Sequence, residues 1–214
     1  MDATYAQLLD LMGAIHAHPG GTGAMLNLIR ASEVRAAGDL NPLSDLVTDP
    51  KLKLDLARHG FDEARHSYLL LRRMHEIGFK AYRLPSELDR VEGLLARSRA
   101  RDVKQVYAER GSVADAEVME LMIAAYIPER DAVVKLQANY ETLGHDPTTQ
   151  AVIGGILRDE HRHVAYLAAW LEHFERRFSP RAVTAARERL EAVFAQLNVV
   201  YYGAVHEYFA RAAA

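Results

Sequence analysis

Two short runs stand out for their chemistry: Asp62-Glu63-Ala64-Arg65-His66 and Asp159-Glu160-His161-Arg162-His163. Both spell Asp-Glu-x-Arg-His. On a helix, residues three apart share one face at about 5–6 Å, so Glu63 with His66, and Glu160 with His163, can each grip one metal ion. Known two-metal helical bundles built on such pairs add one more carboxylate from each of two further helices, and that template can be tested here. The spacing provides them, since Glu33 stands 30 residues before Glu63 and Glu129 stands 31 before Glu160. The chain reads as two similar halves, each giving a Glu and then a Glu-x-x-His. Glu117 and Glu120 compete with Glu129, but they lie about 40 residues before Glu160, which breaks the repeat. They suit a solvated or helix-start acidic pair.

Each candidate ligand interrupts an apolar stripe of helical period, where a solvated charge does not belong. The stripes run Leu26, Ile29, Glu33, Ala36, Leu40; then Leu52, Leu56, His59, Glu63, His66, Leu70, Met74, Ile77; then Val118, Met122, Ala125, Glu129, Ala132, Leu136; and last Ile153, Ile156, Glu160, His163, Leu167, Trp170. Four carboxylates facing one core cost several kcal/mol each unless a cation compensates them. Two divalent ions supply four positive charges against four negative ones. Carboxylates with one imidazole per metal suit iron, with manganese as the other candidate, while zinc could occupy the same ligands without redox chemistry. The chain has no cysteine, which excludes disulfides, thiolate nucleophiles, iron–sulfur clusters and a rubredoxin-type iron.

These residues need helices to hold them, and strand signals are almost absent, so the fold class is all-α. Asp49-Pro50, Asp146-Pro147 and Ser179-Pro180 each set a capping side chain before a proline at the first helical position. Ser112 with Asp115 resembles a capping box. Gly38, Gly78 and Gly144 suit the left-handed position that ends a helix. The spacing predicts a short helix near 3–17, helices at about 22–38 and 50–77, a connection holding a further short helix near 86–109, and helices at about 112–143, 147–177 and 180–211. A long second-to-third connection suits a bundle whose chain crosses over, since a simple up-down bundle uses short loops.

Composition bounds the rest. With 214 residues, half of them apolar, the chain suits one domain spanning 1–214 with the metal-binding bundle at about 22–177. A net charge of −3 and a pI near 6.4 give no reason to expect a nucleic-acid or anionic-membrane partner, which leaves a small molecule. No stretch approaches the roughly 20 apolar residues of a membrane span. Residues 1–18 lack a basic start and apolar run, and the expected location is cytoplasmic.

The sequence resembles the ferritin-like di-iron carboxylate superfamily, whose members include relatives of rubrerythrin and bacterioferritin. Its Asp-Glu-Ala-Arg-His run is similar to that of ribonucleotide reductase radical subunits and small di-iron oxygenases. The resemblance covers about 22–177 and is specific for the metal site, not for the reaction. It implies a ferritin-like four-helix bundle with a long crossover connection and extra N- and C-terminal helices. It implies two iron ions (manganese possible) held by Glu33, Glu63, His66, Glu129, Glu160 and His163. It further implies that Asp62 hydrogen-bonds His163 and that Asp159 hydrogen-bonds His66, in place of surface pairing with Arg65 and Arg162. The expected co-substrate is dioxygen or peroxide, the expected assembly a homodimer, and the electrons come from an external donor. The expected job is oxidation or hydroxylation of a small apolar or amphipathic molecule. Ferroxidase storage or peroxide reduction is the alternative. Peroxidases resembling rubrerythrin carry an extra glutamate beside the third-helix ligand, where this chain has Ala132, with Ala36 in the matching place of the first half. With Ala37, Met122 and Ala125 these alanines either line a pocket toward the metals or only let helices approach.

Other residues carry less. His59, four before Glu63 on the same face, is a third ligand from its helix or, more readily, a histidine beside the site. Tyr68, Tyr126 and Tyr166 lie near the ligands in sequence, as radical sites or as core packing. His16, His18, His145 and His173 fall near helix ends and are expected in solvent. Pro128 should kink or bulge the third bundle helix and so aim Glu129.

Overall fold

The computed structural model describes residues 3–85, 88–96, 109 and 114–212. These form seven helices and no strand: α1 (Ala3–Ala17), α2 (Gly21–Leu46), α3 (Pro50–Glu76), α4 (Arg90–Leu95), α5 (Asp115–Thr142), α6 (Pro147–Arg177) and α7 (Pro180–Ala212). The short connecting helix expected near 86–109 is present in part as α4; the remainder, like Ser112, lies outside the described residues. No helix among the described residues is long and apolar enough to cross a membrane.

The helix starts follow their capping chemistry. Asp49 accepts from the Lys51 and Leu52 N–H groups at 2.9 and 3.0 Å, Asp146 from Thr149 N–H at 3.0 Å, and Ser179 Oγ from Ala182 N–H at 3.1 Å. At α5 the cap is different from that expected. Ala114 has no side-chain acceptor, and Glu117 instead reaches back to accept from Ala114 N–H at 3.0 Å. Of the three glycine stops, Gly78 follows α3 with φ +75, while Gly144 follows α5 without the left-handed conformation.

Gly38 does not stop a helix. The helix expected at 22–38 continues to Leu46, through Gly38 and Pro42. Leu40, Leu43 and Leu46 are each 3–5% exposed. Burying three leucines gains about 1.5–3 kcal/mol each, more than the roughly 1 and 3 kcal/mol that glycine and proline cost inside a helix. The carbonyl that Pro42 cannot bond is that of Gly38, an exposed residue whose carbonyl water can reach.

α2 packs along α3, and α5 along α6; the connections, 47–49 and 143–146, are too short for anything but antiparallel neighbours. α3 faces α6 between the two pairs, α1 lies on α5 and α2, and α7 covers parts of α4, α5 and α6. Two apolar layers result. One gathers Leu40, Leu43, Leu46, Leu52, Leu56, Met122, Ile123, Leu167 and Phe174; the other gathers Leu26, Leu70, Met74, Leu136, Ile153 and Ile156. On each of α2, α3, α5 and α6 the candidate ligands fall between the residues given to the two layers. The site is a polar stratum sealed on both sides by aliphatic core.

Candidate metal centre

All six residues predicted as ligands meet in this stratum. Glu33, Glu63, His66 and Glu160 form one group whose ligand atoms lie within 4.8 Å of one another, and His59, Glu63, Glu129 and His163 form a second. Glu63 belongs to both. Glu33, Glu63, His66, Glu160 and His163 are at most 6% exposed, and the Glu129 side chain is 11% exposed.

The imidazoles of the two Glu-x-x-His pairs, His66 and His163, are oriented alike. His66 points Nδ1 inward, 3.2 Å from both Glu33 Oε2 and Glu160 Oε1. His163 also points Nδ1 inward, 3.0 Å from Glu160 Oε2 and 3.2 Å from Glu63 Oε1. Glu160 therefore turns one oxygen to each histidine. In both, Nε2 faces outward, toward the aspartate that precedes the Glu of the opposite helix. His66 Nε2–H donates to Asp159 at 3.0 Å, as expected. His163 Nε2 is 3.5 Å from Asp62 and makes no hydrogen bond among the described residues, so the second arm of the expected pair is an approach only.

The expected alternative for those aspartates is present as well. Arg65 donates to Asp159 across the helix pair and to Asp62 at 3.2 Å, while Arg162 lies 2.5 Å from Asp159 and 3.5 Å from Asp62. Two arginines and two aspartates thus close the outer side of the site, each arginine reaching both aspartates. Asp159 serves both partners at once. Burial opposes its ionisation, but His66 and Arg65 hold its carboxyl below the usual range.

The electrostatics are those of ligands packed too closely to be charged on their own. Burial and then the charge of Glu63 raise Glu33 well above the carboxylate range, and burial with Glu160 pushes Glu129 up to about 8. Burial works against charge on the histidines, yet Glu160 and Glu33 push His66 up to about 11, and Glu160 and Glu63 push His163 up to about 10. The stratum holds protons at neutral pH that a cation would displace. Protons alone do not satisfy it. Glu63 Oε1 and Glu160 Oε1 are buried without a hydrogen bond among the described residues, although imidazole nitrogens lie within 3.2 Å of each. Buried acceptors aimed at a common point and left unbonded fit a cation there, and the donor set of four carboxylates and imidazole nitrogens suits one.

Several other expectations change. Glu120 is not solvated: it is 5% exposed and paired with Arg189 of α7 at 2.6 Å. Glu117 is the helix-start acid. His16 is 7% exposed, within hydrogen-bond distance of Asn139 at 2.9 Å and Thr22 at 3.1 Å, because α1 folds back onto α5. His173 is half-buried against Trp170, whereas His18 and His145 are exposed as expected. Tyr68 is 60% exposed, on the solvent side of α3. Tyr126 packs against the core under Arg130. Tyr166 instead touches the site through His59, at 2.6 Å. α5 continues as α-helix through Pro128, with no π-bulge there. Met122 is fully buried and Ala36 and Ala125 pack on its cluster, which favours close helix approach for these residues. A pocket of ≈190 Å³ lined by Val47, Leu52, Val118, Trp170 and Phe174 opens near the start of α3 and shares no residue with the centre.

Comparison with known protein families, with curated proteins and with solved structures gives no match to this chain. The reading of the centre rests on its own residues.

Proposed function

We propose that this chain is a ferritin-like four-helix bundle, formed by α2, α3, α5 and α6, that holds two iron ions and oxidises a small apolar or amphipathic substrate. The carrying observation is the pair of buried groups that share Glu63, with carboxylate oxygens that find no hydrogen bond among the described residues. Glu33 and His66 would hold one ion and Glu129 and His163 the other, with Glu63 common to both groups and Glu160 turning one oxygen to each histidine. Manganese suits the same donors. When bound and reduced, such a pair of ions supplies the electrons that activate dioxygen.

The chain's own residues do the rest. Asp159 accepts the His66 Nε2 proton, which fixes the tautomer with the Nδ1 lone pair inward and makes it a better donor. Arg65 and Arg162 balance Asp62 and Asp159, so that the outer carboxylates do not add to the negative charge inside. The leucine and methionine layers on either side exclude water, which strengthens every charge interaction within. The alanines at 36 and 132 offer no additional carboxylate, which favours substrate oxidation over peroxide reduction. The chain carries no cysteine with which to hold an iron–sulfur or rubredoxin-type centre beside the iron pair, and we assign the electrons to an external donor.

Anaerobic reconstitution with ferrous iron, followed by elemental analysis, should give close to two iron per chain. A value near zero would end the proposal. Light scattering then separates the reactions: the oxidase reading expects a monomer, a homodimer or other small oligomer, whereas a hollow shell of many subunits that mineralises excess iron would make it a storage protein.

A further inference from the structure

We infer that His59 is a seventh protein ligand, held by Tyr166, and that it makes the two metal positions chemically unequal. The inference rests on the two-metal reading above and adds to it a residue outside the Glu-x-x-His pairs.

His59 is 1% exposed and sits one helical turn before Glu63. Its Nε2 lies 3.2 Å from Glu63 Oε1 and 3.2 Å from Glu129 Oε1, yet it forms a hydrogen bond with neither. A buried nitrogen aimed at two carboxylate oxygens without bonding either one has the arrangement of atoms that share a cation. The ring lies against His163, with centroids 3.8 Å apart and planes 33° apart, and both rings turn a nitrogen toward the same Glu63 oxygen. On its other edge, His59 Nδ1 is 2.6 Å from Tyr166 Oη. With Nδ1–H donating to that hydroxyl, the Nε2 lone pair is the one left facing inward. A hydrogen bond on the outer nitrogen of a ligating histidine performs this orientation in metal sites generally. α3, α5 and α6 thus each contribute to one position: His59, Glu129 and His163, with Glu63 shared. The other position has a single imidazole, His66, with Glu33, Glu63 and Glu160. Imidazole nitrogen binds later first-row divalent ions more strongly than carboxylate oxygen does, so the two-imidazole position takes cobalt(II) first.

The test uses the full chain, stripped of metal and titrated with cobalt(II), followed by absorption and by counting exchangeable, paramagnetically shifted imidazole N–H signals in the proton NMR spectrum. Wild type should bind two cobalt ions in two unequal steps and show three shifted N–H signals, one each from His59, His66 and His163. His59→Phe keeps a ring and loses both nitrogens; it should weaken the tighter step by about 10–100-fold or more and leave two shifted signals. Tyr166→Phe should keep three signals and weaken the same step within the about 10–100-fold range of groups that orient a ligand. Two cobalt ions with only two shifted signals in wild type, or an unchanged tight step in His59→Phe, overturns the role of His59 and leaves the two-metal reading standing. No cobalt binding by wild type fails that reading itself. If His59→Phe does not fold, the wild-type signal count and Tyr166→Phe decide the matter.

Discussion

Asp159→Asn and Asp62→Asn are the same chemical change at equivalent places in the two halves, yet the structure predicts different consequences. Asp159 accepts from His66 Nε2 at 3.0 Å, whereas Asp62 stands 3.5 Å from His163 Nε2 without a hydrogen bond. Replacing a carboxylate by an amide keeps an acceptor oxygen in place and removes the charge that makes the imidazole a strong donor. Such a loss costs roughly 10–100-fold in metal affinity, or about 1.4–2.8 kcal/mol. Asp159→Asn should fall in that range. Asp62→Asn should fall below it, because the longer contact leaves less to lose. Arg65 and Arg162 do not obscure the comparison: their side chains are 39% and 49% exposed, and water takes over where the aspartate charge is removed. Glu117→Gln is the control, since that carboxylate caps α5 and touches no ligand. Iron or cobalt titration of the four proteins gives the ranking. A larger loss for Asp62→Asn than for Asp159→Asn, or a loss in Glu117→Gln, would refute the assignment of these contacts.

Three further outcomes follow from other parts of the molecule. Loading the metal-free protein with ferrous or manganous ion near pH 7 should release more than one proton per chain in an unbuffered titration, because Glu129, His66 and His163 hold protons there; these raised groups favour the metal-free fold at low pH, and that contribution fades as pH rises through about 8 to 11. Asp146 is the opposite case: burial opposes its ionisation, but the Thr149 hydroxyl and N–H with Arg73 hold it at about 2, so its contribution is present above pH ~4 and is lost as pH falls through about 2. Urea titrations should therefore show wild type more stable than Asp146→Ala by about 1 kcal/mol at neutral pH, a gap that closes below pH 3. Gly23→Ala should destabilise by about 1–3 kcal/mol despite better helix propensity, since the new Cβ would lie 2.2 Å from Phe79 Cδ2 and 2.7 Å from its Cβ; a thermal melt that rises instead would mean the Gly21–Leu46 helix and the segment after α3 are not in that contact.

The sequence carried the site more fully than the fold around it, for a physical reason. A ligand on a helix must share a face with the core, so each of Glu33, Glu63, Glu129 and Glu160 interrupts an apolar stripe, and a charge in that position is conspicuous. The doubled Asp-Glu-x-Arg-His then fixes which interruptions belong together. Helix ends were legible where a side chain bonds the backbone locally, as at Asp49, Asp146 and Ser179. They were illegible where burial decides. Nothing local to Gly38 and Pro42 announces that Leu40, Leu43 and Leu46 will hold the helix together beyond them.

Histidine and tyrosine roles were harder still, because they depend on what crosses from another helix. His16 reads as an exposed residue near the end of its helix until α1 is folded onto α5 and Asn139 meets it. Glu120 reads as a solvated acid until α7 brings Arg189 to it. His59 occupies the same stripe as Glu63 and His66, so its burial was legible, but burial does not separate a ligand from a bystander. The separation comes from Tyr166, 107 residues away in sequence, which occupies one ring nitrogen and leaves the other facing Glu63 and Glu129. Tyr166 lies three residues beyond His163 on α6, whereas the equivalent place on α3, three beyond His66, holds Leu69; and four before Glu160, the place that His59 takes before Glu63, stands Ile156. The two halves therefore repeat in their carboxylates and in their Glu-x-x-His pairs, and part company at His59 and Tyr166. If the halves were functionally equal, a substitution at Tyr166 would disturb both proposed metal positions alike; on the reading proposed above, the disturbance falls on the group that contains His163.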